Sequence, residues 1–282
     1  MLRTRVLTAL VLAALLLLAL FGLPETAWVL FCAVLMGVAA WEWSALSGLS
    51  HGLSRFYPWI TGVLFAVIGW QQLPMSISFG VFAGACLFWL VLAPIWLAAK
   101  WHLRTAGNLN ALLGWALLLP AGLALLLLRG DGWRLLAVLM IAWVADSAAY
   151  FAGKAFGRHK LAPTISPGKT WEGALGALLG VALYISLLPK SFSFGFGAGL
   201  SASSGWTNLL WITCGVLLTA VSIVGDLLES LFKRQAGMKD SSTLLPGHGG
   251  VLDRVDSLLA VLPVAAAIYL AHLLFFAAPA AH

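Results

Sequence analysis

Apolar runs of about 20 residues alternate with short polar intervals along almost the whole chain. A helix needs about 20 such residues to cross the hydrocarbon core of a bilayer. The pattern therefore predicts an all-α, polytopic integral membrane protein with about nine transmembrane helices. The first run follows basic residues, as in a signal peptide, but no convincing cleavage site follows it, so it is predicted to be retained. The predicted spans are residues 6–23, 27–47, 57–74, 79–99, 110–128, 134–153, 171–189, 207–231 and 257–277.

The basic residues predict the orientation of these spans, because cytoplasmic loops carry an excess of Lys and Arg. A cytoplasmic N-terminus leaves only Arg129, Arg134 and Lys190 outside, and an odd number of spans then makes the C-terminus external. The other basic residues all fall inside: Arg3, Arg5, Arg55, Lys100, Arg104, Lys154, Arg158, Lys160, Lys169, Lys233, Arg234, Lys239 and Arg254.

Intramembrane charge divides the chain into two unequal halves. Residues 1–128 carry almost none, whereas residues 129–282 contain nearly all the acidic residues. We predict one membrane domain, with scaffold helices in 1–128 and a catalytic half in 129–282 that holds a polar cavity open to the cytoplasm. The Gly/Ser-rich loop 190–206 is predicted to be an external connector. Gly173, Gly176 and Gly180 predict a small-residue face for close helix packing.

Composition narrows the classes of function. The chain is 62% hydrophobic with a mean hydropathy of +0.99, which excludes a soluble core. The net charge of +6 is modest and no nucleic-acid-binding motif is present, so no nucleic-acid partner is expected. An anionic lipid headgroup or a nucleotide phosphate is a better candidate partner. Cys32, Cys86 and Cys214 have the spacing of neither a zinc site nor a disulfide framework, and are predicted to be buried apolar residues.

The longest polar interval is residues 230–257, SLFKRQAGMKDSSTLLPGHGGVLDRVDS, and it lies between two spans. Glycines before Asp253 allow the backbone to approach a ligand closely. Carboxylates on separate helices, with room for phosphate, suit Mg²⁺. Asp253 and Asp256 share a helix face if the helix has begun there. The alternatives are a basic loop that only sets topology and, for Asp256, a structural role near a helix N-terminus, through capping or through the helix dipole.

Two further acids, Asp146 and Asp226, lie near the predicted cytoplasmic ends of their spans. Charged residues inside a span are costly and usually face a cavity or a partner. Asp226, Glu229 and Lys233 lie on one polar stripe of an otherwise apolar helix. The alternative is that Asp226 or Glu229 forms a structural ion pair with Lys233 or Arg234.

The segment before the seventh span contains GKT at residues 168–170, as at the end of a P-loop. A P-loop needs glycine where Pro163 stands, and it needs a preceding strand, so that motif is rejected. Lys160, Ser166, Lys169 and Thr170 can still bind phosphate beside a helix N-terminus. The alternative is that these basic residues serve topology alone.

Taken together, these segments resemble the phosphatidate cytidylyltransferase family, also called CDP-diacylglycerol synthases. The C-terminal motif is carried by SLFKR at 230–234, KD at 239–240, PGHGG at 246–250 and DRVD at 253–256. Every fixed position of this motif, which runs over about 27 residues, is present. The stretch from Asp146 through SPGKTWEG also resembles the family, whereas the apolar first half adds only hydropathy and span number.

The resemblance implies that CTP and phosphatidic acid give CDP-diacylglycerol and pyrophosphate, with Mg²⁺ alone or together with K⁺. It also implies a homodimer in a bacterial inner membrane, with the active site facing the cytoplasm. Asp226 and Asp253 would hold the metal and act in catalysis with Lys233 and His248, and His248 or a carboxylate could serve as an optional general base. The substrate-binding residues would be Asp146, Ser166, Lys169, Thr170, Arg234, Lys239, Asp240, Gly249, Gly250, Arg254 and Asp256.

Three other functions compete with this interpretation. A related membrane transferase acting on polyprenyl phosphate predicts the same topology and the same metal site. A transporter would favour broken helices near mid-membrane and an internal repeat, but the acids cluster at the predicted cytoplasmic ends and no repeat is visible. A purely structural membrane protein leaves the polar loops without a role.

Overall fold

A computed structural model describes residues 2–188 and 205–275, apart from the side chains of residues 2–6, 104–106, 205–208 and 275. The predicted external connector 190–206 falls outside the described residues except at its end, where a helix begins at Gly205. The helices are α1 (Leu2–Gly22), α2 (Glu25–Ser47), α3 (His51–Gln71), α4 (Met75–Ala99), α5 (Asn110–Arg129), α6 (Trp133–Phe156), α7 (Trp171–Leu187), α8 (Gly205–Gln235) and α9 (Leu252–Phe275).

Six helical segments are long and apolar enough to cross a membrane, counting only the described residues. They are Glu25–Ser47, Met75–Ala99, Gly107–Arg129, Trp133–Phe156, Leu209–Gln235 and Leu252–Leu274. Leu7–Gly22 and Trp171–Leu187 are shorter apolar helices, and α3 is not among the six. The fold is that of a helical, multi-pass membrane protein. The count of nine spans and their orientation remain predictions.

The predicted cytoplasmic loop between α6 and α7 contains a small hairpin. Strand β1 (Lys160–Ala162) pairs antiparallel with β2 (Ser166–Thr170), with Lys160 opposite Thr170. The Thr170 hydroxyl accepts the backbone N–H of Gly173 at 3.1 Å and so caps the start of α7. The hairpin is a local addition to the all-α class.

Helix α9 occupies the centre of the bundle, where it packs against α2, α4, α5, α6 and α8. In the most apolar 18-residue stretch of α9, 67% is buried inside the protein. The corresponding value for α4, which lies at the periphery, is 22%. The helix begins at Leu252, five residues before the predicted span. Asp253 and Asp256 therefore both lie on its first turns, as their i, i+3 spacing predicted.

Glycines set the closest helix crossings. A Cβ on Gly173 would lie 2.9 Å from the Ala149 carbonyl oxygen, and one on Gly180 would lie 2.6 Å from the Ala148 Cβ, so the predicted packing face against α6 is confirmed. A Cβ on Gly225 would lie 2.8 Å from the Asp256 carbonyl oxygen. This crossing of α8 and α9 puts residues adjacent to Gly225 beside the start of α9.

Candidate active site

Polar side chains gather at one end of the bundle, where α2, α6 and α8 end and α9 begins. The hairpin before α7 and the loop between α8 and α9 cover this end. Lys169 of the hairpin forms an ion pair with Asp226 of α8. Ser230 also donates to Asp226, at 3.3 Å. The structural pairing of Asp226 with Lys233 or Arg234 is therefore wrong, because its cationic partner comes from the hairpin.

Lys233 joins α8 to α9. Its ammonium nitrogen lies 2.5 Å from Glu229 Oε2, one helical turn back, and 2.6 Å from Asp253 Oδ1. The alternative that Glu229 pairs with Lys233 is thus confirmed. All three side chains are largely buried, where an ion pair is weakly screened by water. Lys233 therefore helps to hold the end of α8 against the start of α9.

Asp253 is the most densely hydrogen-bonded of the predicted site residues. Its Oδ2 accepts the backbone N–H groups of Ser241 at 2.7 Å and Gly250 at 2.8 Å, and the Ser241 hydroxyl at 2.8 Å. Gly249 has a φ of +81°, and a Cβ there would lie 2.6 Å from this oxygen. The two glycines therefore let the loop wrap closely around the carboxylate, and their close approach to a ligand stays a prediction.

Asp256 does not cap α9, so the capping part of that alternative is wrong. Its Oδ1 accepts the N–H of the next residue, Ser257, at 2.7 Å, several residues after the helix has begun. Instead, Asp256 lies within electrostatic range of Asp146, Asp226 and Glu229. Asp146 in turn interacts with Asp226. The structure thus brings together four acids from three helices.

Glu42 of α2 is a site residue that sequence reasoning missed. It is only 1% exposed, although it lies in the half of the chain predicted to be a scaffold. Its carboxylate accepts the backbone N–H groups of Val251 at 2.8 Å and Leu252 at 2.6 Å, which begin α9. Hydroxyls of Ser241 and Ser242 donate to it at 3.0 and 2.7 Å. An acid inside an apolar span was a signal available from sequence.

Two cavities open at this polar end. One, of about 520 Å³, lies at the loop and is lined by Lys239, Asp240, Ser242, Thr243, Leu245, Gly247, His248, Gly249 and Arg254. The other, of about 470 Å³, lies between α6, the hairpin and α8 and is lined by Ala145, Asp146, Ala149, Tyr150, Gly153, Lys154, Leu161, Ser166, Gly168, Lys169, Thr170, Gly173, Ala174, Ala177, Ile223 and Asp226. We call them the loop cavity and the hairpin cavity.

Most of the predicted site residues divide between these cavities. The other predicted site residues line neither cavity. Lys233, Asp253 and Gly250 are not among the cavity-lining residues and hold the loop against α8 and α9. Arg234 is exposed and donates to the Ile165 carbonyl at 3.4 Å, so it contacts the hairpin turn.

The acids at this end fit a divalent cation. Glu229 Oε1 is buried without a hydrogen-bond partner in the described part of the chain, and Asp146, Asp226 and Asp256 repel one another. The described residues contain no ready group of three metal ligands from His, Cys, Asp or Glu. Mg²⁺ does not require one, because it usually keeps waters and takes one or two carboxylates together with substrate phosphates.

Several known proteins that are similar to this chain carry the name of one enzyme. Residues 3–272 match the cytidylyltransferase family. A phosphatidate cytidylyltransferase of Pseudomonas aeruginosa is 40% identical over 275 residues, which cover 95% of this chain and 97% of that protein. Those of Haemophilus influenzae and Brucella suis are 36% and 38% identical, covering 93% and 95% of this chain and 96% and 92% of their own length. These alignments extend over nearly the whole chain, including its polar end.

Proposed function

The chain belongs to the cytidylyltransferase family, and from that membership we propose the reaction that its polar end carries out. The protein is a nucleotidyltransferase that makes CDP-diacylglycerol from CTP and phosphatidate, and it contributes to phospholipid biosynthesis. The observation that carries this conclusion is the near full-length identity to phosphatidate cytidylyltransferases.

The reaction needs no nucleophile from the protein. An oxygen of the lipid phosphate forms a bond to the α-phosphorus of CTP, and the bond from that phosphorus to the β-phosphate bridging oxygen breaks. Pyrophosphate leaves with the electron pair. The protein's task is then to position two anions and to neutralise their charge. Phosphatidate is already ionised at neutral pH, so a general base such as His248 is optional.

We assign the triphosphate of CTP to the loop cavity. Lys239, His248 and Arg254 line it together, and the backbone of Gly249 leaves its wall open to close approach. His248 Nδ1 is buried and has no hydrogen-bond partner among the described residues, so it is available to a phosphate oxygen. Charged donors such as Lys239 and Arg254 make the stronger hydrogen bonds to phosphate.

We assign the lipid phosphate to the hairpin cavity. Lys169, Ser166 and Thr170 lie at its polar side, whereas alanines, Tyr150 and Ile223 supply an apolar wall for the glycerol and acyl chains. Lys169 also touches Asp226, so its ammonium group can be shared between the carboxylate and an incoming phosphate. Asp226 is the residue at which the lipid side meets the acid cluster.

We propose that Asp226 and Asp253 hold Mg²⁺, alone or together with K⁺, with Asp146, Glu229 and Asp256 close by. Asp253 would do so by exchanging its contact with Lys233, or one of its loop donors, for the cation. When bound, the cation supplies charge neutralisation at the transferring phosphoryl group. The lysines that contact Asp226 and Asp253 orient these carboxylates. Glu229 lies within electrostatic range of both aspartates, so the three carboxylates form one negatively charged cluster at the contact of α8 and α9.

We also propose that the polar end faces the cytoplasm of a bacterial inner membrane and that the enzyme is a homodimer. The first proposal is supported by the distribution of basic residues and by the bacterial relatives. The second rests on the family resemblance. Labelling of single cysteines on each face of the membrane tests the orientation, and cross-linking in native membranes tests the dimer.

The decisive assay uses purified protein with CTP, Mg²⁺ and phosphatidate, and follows the release of pyrophosphate. Pyrophosphate should appear together with CDP-diacylglycerol in equal amounts. Polyprenyl phosphate is the comparison substrate, and turnover of that lipid in preference to phosphatidate would overturn the assignment. Omission of Mg²⁺ should abolish turnover in the same preparation.

A further inference from the structure

Glu42 is a buried acid that the proposed chemistry does not use. Its side chain lies in α2, in the first half of the chain, and is 1% exposed. None of the ion pairs among the described residues includes it. A buried carboxylate without a cation is costly unless hydrogen bonds replace its hydration. Four donors do so here, at 2.6 to 3.0 Å.

All four donors belong to one short segment, residues 241–252, which ends at the start of α9. The backbone N–H groups of Val251 and Leu252 have no partner inside the helix, as expected at a helix N-terminus. A negative charge is also favoured at that end of the helix dipole. Glu42 therefore caps α9 from a different helix, 210 residues away from Leu252 in the chain.

The same segment holds Asp253, and one side chain links it to Glu42. The Ser241 hydroxyl oxygen lies 3.0 Å from Glu42 Oε2 and 2.8 Å from Asp253 Oδ2. A hydroxyl has one hydrogen to donate, so the two carboxylates share it. A side chain at Gly250 would collide with both Ser241 and Glu42, which shows how closely the loop is applied to this acid.

The end of α2 that carries Glu42 is itself held in place. The indole N–H of Trp43 donates to the Asn110 carbonyl at 2.8 Å, which ties α2 to α5. The Trp43 ring also packs edge-on against Phe232 of α8, with centroids 5.7 Å apart. Glu42 is thus a fixed point against which the loop can be aligned.

We propose that Glu42 is a positioning residue for the reaction. From the first half of the chain it holds residues 241–251 and the start of α9, so that Asp253 and the basic residues of the loop cavity meet the substrates. This inference rests on the proposed function, because an effect on turnover has meaning only for the correct reaction. Its effect on the loop can be measured without any substrate.

The test compares Glu42→Gln with Glu25→Gln, a matched change at the other end of the same helix. Glu25 is exposed and accepts a hydrogen bond from Gln72 at 2.9 Å. In Glu42→Gln, one acceptor oxygen becomes an NH₂ group that faces N–H or O–H donors. We expect kcat/KM for CTP to fall roughly tenfold to a hundredfold, as for other misplaced active-site groups. Glu25→Gln should stay within about twofold of wild type.

Trypsin cleavage after the exposed Lys239 provides the readout that is independent of activity. Release of the loop should speed this cleavage in Glu42→Gln and leave it unchanged in Glu25→Gln. Glu42→Asp keeps the charge but shortens the side chain by one methylene. It should retain more activity than Glu42→Gln, and it decides the matter if Glu42→Gln does not fold.

A folded Glu42→Gln enzyme with lower thermal stability, but with wild-type kcat, KM and cleavage rate, would show that Glu42 only stabilises the fold and would overturn the proposal. The same result for Glu42→Asp would overturn it if Glu42→Gln does not fold. If the wild-type protein has no CTP-dependent activity, the proposed function fails instead, and the cleavage rates still report whether Glu42 holds the loop.

Discussion

The loop cavity and the hairpin cavity lie at the same end of the bundle but are built differently. The loop cavity is formed mainly by a segment without regular secondary structure, whose shape depends on Asp253 and Glu42 beneath it. The hairpin cavity is formed by helices α6, α7 and α8 and by a short hairpin, and much of its wall is apolar. One cavity is shaped by hydrogen bonds to two buried carboxylates, and the other by packing of helices.

This difference indicates how one membrane enzyme can accept two unlike substrates. A water-soluble triphosphate needs a polar wall that the backbone can approach closely, whereas a lipid needs an apolar wall that continues into the bilayer. Lys233 and the acids around Asp226 connect the two regions. The reacting phosphates would meet at that connection.

The largest effect should come from Asp253→Asn, because the loop cavity depends on this carboxylate. The new NH₂ group would face Lys233 or the donors from Ser241 and Gly250, so at least one acceptor is lost. We expect CTP-dependent turnover to fall by at least about a hundredfold, while the protein still inserts and elutes as one folded species. Asp131→Asn, a change to an exposed acid outside both cavities, should keep wild-type turnover. Near wild-type activity for Asp253→Asn would contradict the role of Asp253 at the site.

Changing one lysine in each cavity would sharpen the comparison. Lys239→Met should raise KM for CTP, and Lys169→Met should raise KM for phosphatidate, each roughly tenfold, as expected for loss of one hydrogen bond to a charged group. Steady-state kinetics with each substrate varied in turn separates the two values. Arg55→Met removes an exposed basic residue outside both cavities and should change neither. Equal changes in both KM values for both lysine variants would mean that the two cavities do not divide the substrates.

An effect of comparable size is expected for Gly249→Ala. The backbone has a φ of +81° there, and the new Cβ would lie 2.6 Å from Asp253 Oδ2. The strain should cost about 1–3 kcal/mol and displace the loop, so kcat should fall roughly tenfold. Gly84→Ala in α4 is the control, because no atom lies within 4 Å of its added Cβ. Equal activity of the two variants, measured by pyrophosphate release, would show that the loop tolerates a shifted backbone.

The smallest effects are expected for the thiols, which line neither cavity. Cys32→Ala, Cys86→Ala and Cys214→Ala should each keep turnover within about twofold of wild type, with a loss of stability on the order of 1 kcal/mol at the buried positions. Turnover and thermal unfolding of each purified variant test this expectation. A folded but inactive variant would mean that the thiol has a role in the reaction.

Sequence reasoning located the helices because a long apolar run has few other stable structures in a membrane. It was less accurate where helices extend beyond the membrane. Helix α9 begins at Leu252 and α3 at His51, several residues before the predicted spans. Hydropathy marks the apolar residues that contact lipid, and it does not show where the helix continues into polar sequence. The hairpin went unpredicted because its short strands have neither clear alternation nor many β-branched residues.

The acids of the site could be found from sequence because each one is costly within an apolar helix. Their partners could not, because partners depend on how helices and loops pack. Lys169 was predicted to bind phosphate, and in the structure it also pairs with Asp226. Lys233, which is closer to Asp226 in the sequence, does not form that pair. Glu42 carried the same sequence signal as Asp146, but its donors lie 199 to 210 residues further along the chain.

That separation has a consequence for biosynthesis. Helix α2 is synthesised early, and at that stage none of the four groups that donate to Glu42 yet exists. An acid without partners weakens the insertion of a helix, by about 2.5–3.5 kcal/mol at the helix centre and by less towards its ends. Residues 241–252 are synthesised much later than α2, and their hydrogen bonds to Glu42 therefore stabilise α2 in the membrane only at that stage. A nascent chain that stops short of Ser241 should hold α2 in the membrane less firmly than the finished protein does.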